Sequence, residues 1–107
     1  MKELILIERP DQWEKAIAYA AQRIKEADEV GLLIHKDGVE RCIRCEPQLF
    51  KILHQFILDG GKAYLCLKSL KERNIPPTRP PEIFIRVDDG EELAKALKRE
   101  GFLLKEL

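Results

Sequence analysis

The sequence predicts a three-layer α/β/α domain with a five-stranded, mostly parallel β-sheet. Five short apolar runs alternate with four segments of helical periodicity along the 107 residues. The apolar runs are continuous, which is typical of strands that are buried on both faces of a parallel sheet. Alternation of strand and helix also predicts right-handed crossovers, with helices on both faces. A chain of this length forms one domain, residues 1–107, and leaves no room for a second core.

The first two predicted strands flank an amphipathic helix. The strand at residues 4–7 ends before Pro10, and Asp11 with Glu14 forms a capping-box pair that begins the helix. Apolar residues recur in it at helical spacing and give it one buried face: Trp13, Ala16, Ile17, Ala20, Ile24 and Ala27. The second strand follows at residues 30–34 and ends at a turn signal.

A second helix leads to the third strand. Pro47 suits the first helical position, and the glycine pair that begins at Gly60 ends the helix. Apolar residues lie on more than one side of it: Leu49, Phe50, Leu53, Phe56, Ile57 and Leu58. This exceeds what one sheet face covers and indicates a subunit interface. After the third strand at residues 63–67, Ser69 with Glu72 forms a capping-box pair that begins a short helix.

The remainder of the chain supplies the last two strands and one helix. The segment 75–81 contains four prolines and is expected to be an extended loop. Residues 83–87 form the fourth strand, and Asp89 caps the last helix. Gly101 ends that helix, and the fifth strand begins at residues 102–104.

Composition excludes several classes of function. With 19 basic and 19 acidic residues the formal net charge is zero, so no basic face is expected to bind nucleic acid. Charged residues make up 36% of the chain, which has only one Ser, one Thr and one Asn, a bias typical of proteins from hot environments. No apolar run is long enough for a signal peptide or a membrane span. We therefore expect a cytoplasmic protein with no membrane partner, whose three cysteines are reduced.

The predicted functional crevice lies at the C-terminal ends of the strands, as in other open parallel sheets. Four predicted loops meet there: residues 8–11, 35–46, 68–69 and 88–90. All three cysteines, Cys42, Cys45 and Cys66, lie on or beside this edge.

Cys66 is the leading candidate for a reactive residue. It lies near the end of the third strand, three residues before a predicted helix start. Backbone N–H groups and the helix dipole favour a thiolate over a thiol at such a position. The same position also suits an unreactive cysteine that fills a gap in the core.

The segment Gly60–Ile75, GGKAYLCLKSLKERNI, resembles the DsrE/DsrF-like family of small sulfur-relay proteins. Members typically have a glycine before a strand that ends in Cys, followed by a short helix with a basic residue and a turn. The resemblance implies that Cys66 accepts sulfane sulfur from a donor protein and passes it to an acceptor protein as a persulfide. It also implies adjacent second and third strands, and homo-oligomers or mixed oligomers. Asn74 stands where many members have glycine, and asparagine can adopt the same left-handed turn.

Cys42 and Cys45 form a C-x-x-C sequence upstream of a helix, with Arg41 and Arg44 nearby. Such a pair can cycle between dithiol and disulfide or resolve a persulfide, and it can equally be two ordinary cysteines. A zinc site needs two further ligands. The only candidates are His35, His54 and Cys66, so we expect no metal.

The other polar candidates have simpler explanations. His35 can exchange protons at the functional edge, and it is expected to be a partly exposed loop residue. His54 is expected to flank a packing face, and Asp88 and Asp89 are explained by helix capping. The glycine pair at Gly60 ends a helix and precedes a strand, the reverse of a phosphate-binding loop, so no nucleotide or other cofactor is expected.

The sequence is consistent with three functions. The first is a small sulfur carrier or sulfurtransferase that acts through Cys66. The second is a non-catalytic, oligomer-forming scaffold subunit of a sulfur-relay complex, in which Cys66 is buried and silent. The third is a dithiol redox protein that uses Cys42 and Cys45.

Overall fold

The computed structural model describes residues 1–107 and contains one five-stranded sheet in which every strand pair is parallel. The strand order is β4-β3-β2-β1-β5, so the second and third strands are neighbours, as expected. The strands are β1 Lys2–Ile7, β2 Glu29–Ile34, β3 Lys62–Cys66, β4 Ile85–Val87 and β5 Leu103–Glu106. The predicted α/β class is confirmed, and the sheet is parallel throughout.

Four α-helices and two 3-10 helices connect the strands. The α-helices are α1 Trp13–Arg23, α2 Pro47–Leu58, α3 Leu67–Glu72 and α4 Gly90–Arg99. The 3-10 helices are Pro10–Gln12 and Lys36–Ile43. Helix α4 alone covers one face of the sheet, and α1 and α2 pack on the other. No helix is both long enough and apolar enough to span a membrane.

The larger core lies between the sheet and helices α1 and α2. An aromatic group of Trp13, Phe50 and Phe84, with ring centroids 6.0–6.4 Å apart, packs at one end of it. Phe56 is fully buried there and Phe50 is half-buried. Of the apolar residues predicted to line α2, only Leu58 is therefore exposed, and Ile52, which was not among them, is exposed as well.

The start of the first helix differs from the prediction. Asp11 does not cap it, and α1 begins at Trp13 after a turn of 3-10 helix. Gln12 is the third residue of that 3-10 helix, and its Oε1 accepts the backbone N–H groups of Glu8 and of Arg9, the N-cap residue, at 2.7 and 2.8 Å. The observed capping box pairs Arg9 with Gln12, so the sequence pattern placed it two residues too late, at Asp11 and Glu14.

The 3-10 helix at Lys36–Ile43 was not predicted and is held by tertiary contacts. Gly38 lies so close to β1 that a Cβ there would be 2.5 Å from the carbonyl oxygen of Ile7. The indole Nε1 of Trp13 donates to the carbonyl of Gly38 at 2.7 Å. The guanidinium of Arg41, in a residue only 5% exposed, donates to both carboxylate oxygens of Glu14, each at 2.7 Å. These hydrogen bonds lower the pKa of Glu14 to about 2.

The proline-rich segment is a loop, as predicted, but it is not extended throughout, because the N–H of Arg79 donates to the carbonyl of Pro76 at 3.0 Å. It borders β4. The guanidinium of Arg86 donates to four carbonyl groups at 2.6–3.2 Å, those of Pro77, Pro80, Pro81 and Phe84. Proline offers a carbonyl but no N–H group, so one cation satisfies several of the loop's acceptors. This loop leaves only three residues of β4, fewer than the five predicted.

Candidate functional site

The candidate site is a row of side chains at the C-terminal edge of the sheet. Pairing of Ile7 with Ile34, and of Ile34 with Leu65, ends the ordered ladder between the first three strands. The next residues on these strands are Glu8, His35 and Cys66, so they occupy successive positions of one row. This row was not predicted, because it depends on the strand order.

Cys66 is the N-cap residue of α3, and its sulfur accepts two backbone N–H groups. Ser69 donates to Sγ at 3.4 Å and Gly90 donates to it at 3.2 Å. The prediction that Ser69 caps this helix was wrong, because the helix begins at Leu67 and the thiol takes the capping position. Gly90 is the first residue of α4, so the sulfur links the end of β3 to two helices.

Ser69 has a different partner from the one predicted. Its hydroxyl oxygen accepts the backbone N–H of Lys36 at 2.7 Å, and the residue is buried. Lys36 has a φ of 53°, in the left-handed region that non-glycine residues seldom adopt. The serine therefore stabilises the turn that follows β2 and joins it to α3.

Gly90 allows α4 to approach Cys66. A Cβ at this position would lie 3.2 Å from Cys66 Cβ, 3.2 Å from His35 Cβ and 3.2 Å from Leu33 Cδ1. Asp89 caps α4 as predicted, since its carboxylate accepts the N–H of Glu91 at 3.0 Å. The donor role of Gly90 was missed, because a glycine after an N-cap residue gives no signal of a contact with a distant thiol.

Cys66 is buried within the single chain, with 3% of the residue exposed. The hypothesis of a sulfur carrier requires a thiol that a donor can reach. In this conformation the residues around Cys66, including the start of α4, cover the sulfur. A donor therefore reaches it only when these covering residues move.

His35 is buried, which corrects the expectation of a partly exposed loop residue. It is 4% exposed, and its Nε2 lies 3.0 Å from Glu8 Oε2, outside the angular range of a hydrogen bond. The Nζ of Lys36 lies 3.3 Å from the same carboxylate oxygen. Burial lowers the pKa of His35 below its ordinary value of 6.5, and the carboxylate of Glu8 opposes this shift only in part.

Cys42 and Cys45 lie in different environments. Cys42 is 1% exposed within the larger core, and burial raises the pKa of its thiol to about 12. Cys45 is exposed and borders a surface depression of about 350 Å³ that His54 and Phe50 also line. All three cysteines are free thiols. No three His, Cys, Asp or Glu side chains converge as a metal site would require.

Comparison with solved structures identifies the fold. The chain superposes on the protein of unknown function MTH1491 from Methanobacterium thermoautotrophicum with a TM-score of 0.84 and 12% identity, over 99% of this chain and 98% of the other. The YchN protein from E. coli gives a TM-score of 0.70 and 16% identity over the whole of both chains. YchN has a DsrE-like fold, and this chain therefore has that fold. No family model and no curated protein matches the sequence.

We predict that His35 makes stability depend on pH near neutrality. The pKa of His35 is lower in the folded chain than in the unfolded chain. Its contribution to the free energy of unfolding is therefore fully present above pH 6.5 and is lost as the pH falls through the folded pKa. Below 6.5, the wild-type free energy of unfolding should fall by up to about 1.4 kcal/mol per pH unit more than that of His35→Gln. Urea unfolding at about pH 7.5 and 5.5 measures this difference.

His54→Gln is the matched control, because His54 is exposed on α2. It should keep the wild-type pH dependence. Equal pH dependence of the wild type and His35→Gln would contradict the prediction.

Proposed function

We propose that this chain is a small cytoplasmic sulfur carrier in which Cys66 accepts sulfane sulfur from a donor persulfide and delivers it to an acceptor protein. One observation carries the proposal. The sulfur of Cys66 lies at the C-terminal edge of the sheet and accepts the backbone N–H groups of Ser69 and Gly90. The DsrE-like fold supports it, since the resemblance around Cys66 is to sulfur-relay proteins of that fold.

The two donors suit the chemistry of persulfide exchange. Transfer requires a thiolate that attacks the outer sulfur of the donor, and the charge afterwards lies on sulfur again. N–H groups that point at sulfur stabilise its anionic form over the neutral one. They belong to the backbone of α3 and α4, so they are already oriented before a donor arrives.

The proposal also requires a conformational change that gives a donor access to the sulfur of Cys66. Cys66 is covered in part by the start of α4, whose Gly90 donates to Sγ. Displacement of this first turn breaks one N–H···S contact and exposes the thiol. Local opening of a helix end requires less free energy than global unfolding.

A mass measurement tests the carrier proposal. We expect wild-type protein incubated with a sulfane-sulfur donor to gain the mass of one sulfur atom, and reductant to remove it. Cys66→Ser should abolish the gain, because the accepting thiol is absent. Cys45→Ser is the matched control and should retain it, although Cys45 is the exposed cysteine. A gain that survives Cys66→Ser would refute the assignment.

The burial of Cys66 favours one alternative, the non-catalytic scaffold subunit, in which this thiol is only a helix cap. The dithiol redox function is less well supported. A pKa of about 12 keeps the Cys42 thiol protonated near neutral pH, and exchange requires the thiolate.

Thiol labelling separates these functions. For a carrier we expect a maleimide to label Cys45 fastest, Cys66 more slowly and Cys42 least, in native protein analysed peptide by peptide. Gly90→Ala should raise the Cys66 rate several-fold, because the added Cβ forces α4 away from the sulfur. Cys45 in the same molecule is the internal control. Cys66 that stays unlabelled in both proteins would favour the scaffold.

Self-association is a further part of the proposal. Several large apolar side chains are exposed on the single chain: Ile43, Ile52, Leu58, Ile85, Leu103 and Leu104. Leu58 is 68% exposed on α2, and Leu104 lies on the sheet face that α4 covers alone. Apolar surface of this kind is typical of contacts between subunits.

Light scattering tests self-association. We expect a mass of more than one chain at low protein concentration. Leu58→Lys should lower it if copies meet through α2, and Leu104→Lys should lower it if they meet through the α4 face. A monomeric mass for the wild type would contradict this part of the proposal.

A further inference from the structure

We propose that His35 is the proton acceptor for the Cys66 thiol, and that Glu8 holds the imidazole in the orientation this requires. The inference rests on the proposed function, because it assigns the sulfur chemistry to Cys66. It names a second residue of that site and gives the protein a carboxylate–imidazole–thiol row.

The three residues lie side by side at the edge of the sheet. Glu8 and His35 directly follow β1 and β2, and Cys66 is the last residue of the neighbouring β3, so the three residues are in register with the histidine in the middle. A Cβ placed on Gly90 would lie 3.2 Å from the Cβ atom of His35 and 3.2 Å from that of Cys66. Both side chains therefore begin beside the first turn of α4.

The sulfur of Cys66 lacks a hydrogen-bond acceptor for its proton. Its two hydrogen bonds, from Ser69 and Gly90, are both accepted by Sγ, and no group accepts a proton from the thiol. No hydrogen bond joins His35 to Sγ in this structure. Contacts of this kind are often long without substrate and shorten in the reacting complex. His35 is the base next to Cys66 in the row.

The imidazole of His35 lies beside a carboxylate. Its Nε2 is buried, has no hydrogen-bond partner, and lies 3.0 Å from a carboxylate oxygen of Glu8. A carboxylate only accepts, so it favours the tautomer that carries the proton on Nε2. Nδ1 is then the free base. A third group that orients a base beside a nucleophile is the arrangement found in activated cysteines and serines.

The surroundings keep the ring neutral near pH 7. Burial lowers the pKa of His35, so the imidazole is free to accept a proton. The charged groups that face it are Glu8 after β1, Lys36 in the 3-10 helix and Glu91 on α4. The two carboxylates stabilise the imidazolium once it forms, and Lys36 opposes it.

The step balances without an outside oxidant or reductant. The Cys66 thiol gives its proton to His35, and the resulting thiolate attacks the outer sulfur of the donor persulfide. The donor's S–S bond breaks as the new S–S bond to Cys66 forms. The donor leaves as a thiolate and takes the proton from the imidazolium. The products are the Cys66 persulfide and a free donor thiol.

Alkylation of Cys66 measures the proton transfer apart from sulfur uptake. The rate with iodoacetamide is followed on the Cys66 peptide between about pH 5 and 9, for the wild type and His35→Gln, and sulfur uptake from a small organic persulfide is followed in parallel. We expect His35→Gln to slow alkylation near pH 7 by about 10²-fold. The wild-type rate should fall as His35 becomes protonated, and this inflection should be absent from the variant.

His54→Gln is the control and should keep both the wild-type rate and its pH profile. Glu8→Gln should give a smaller loss of rate, and it provides the answer if His35→Gln does not fold. Equal profiles for the wild type and His35→Gln, with sulfur uptake intact, would overturn the role of His35 and leave the carrier function standing.

The same experiment also shows whether the carrier function fails while the proton transfer holds. A wild type that takes up no sulfur, but whose Cys66 alkylation depends on His35, would overturn the carrier function and support the proton transfer. Cys66 that reacts with neither reagent would overturn both.

Discussion

The position of one sulfur atom determines how the C-terminal edge of this sheet is built. Cys66 Sγ accepts N–H groups from Ser69 in α3 and from Gly90 at the start of α4. These contacts connect β3 to helices that are separated along the chain by the proline-rich loop. Glycine allows the second contact without crowding, since a Cβ at position 90 would lie 3.2 Å from Cys66 and His35 and would require a shift of a few tenths of an ångström. The geometry of the edge therefore depends on a cysteine and a glycine together.

A thiol that caps a helix and a thiol that reacts place opposite demands on the same atom. As a cap, Cys66 satisfies N–H groups that would otherwise be buried without partners, which favours a closed structure. As a nucleophile it must be exposed. One thiol can do both when a helix end covers it, because opening a helix end requires less free energy than opening the core. The proposed carrier function requires that this helix end open more easily than the core.

The strands, most turns and the cap at Asp89 were predictable because they depend on local patterns, such as continuous apolar runs and an acidic residue before a helix. Apart from the cap of the first helix, the errors come from partners distant in sequence. Ser69 has the spacing of a helix cap, but its hydroxyl is taken by Lys36, 33 positions away. The 3-10 helix at 36–43 is held by Arg41 and other tertiary contacts, which a local pattern does not reveal. The row containing His35 follows from strand order, which no local pattern encodes.

Cys42 and Cys66 show why burial alone does not decide whether a thiol reacts. Both are almost fully buried. Cys42 lies among apolar side chains in the larger core, where the thiolate has no hydrogen-bond donor and burial raises the pKa of the thiol to about 12. Cys66 lies outside the two apolar clusters, beneath one helix, with two N–H groups directed at its sulfur. The polar neighbours of Cys66, and the single helix end above it, are what distinguish a candidate nucleophile from a core residue.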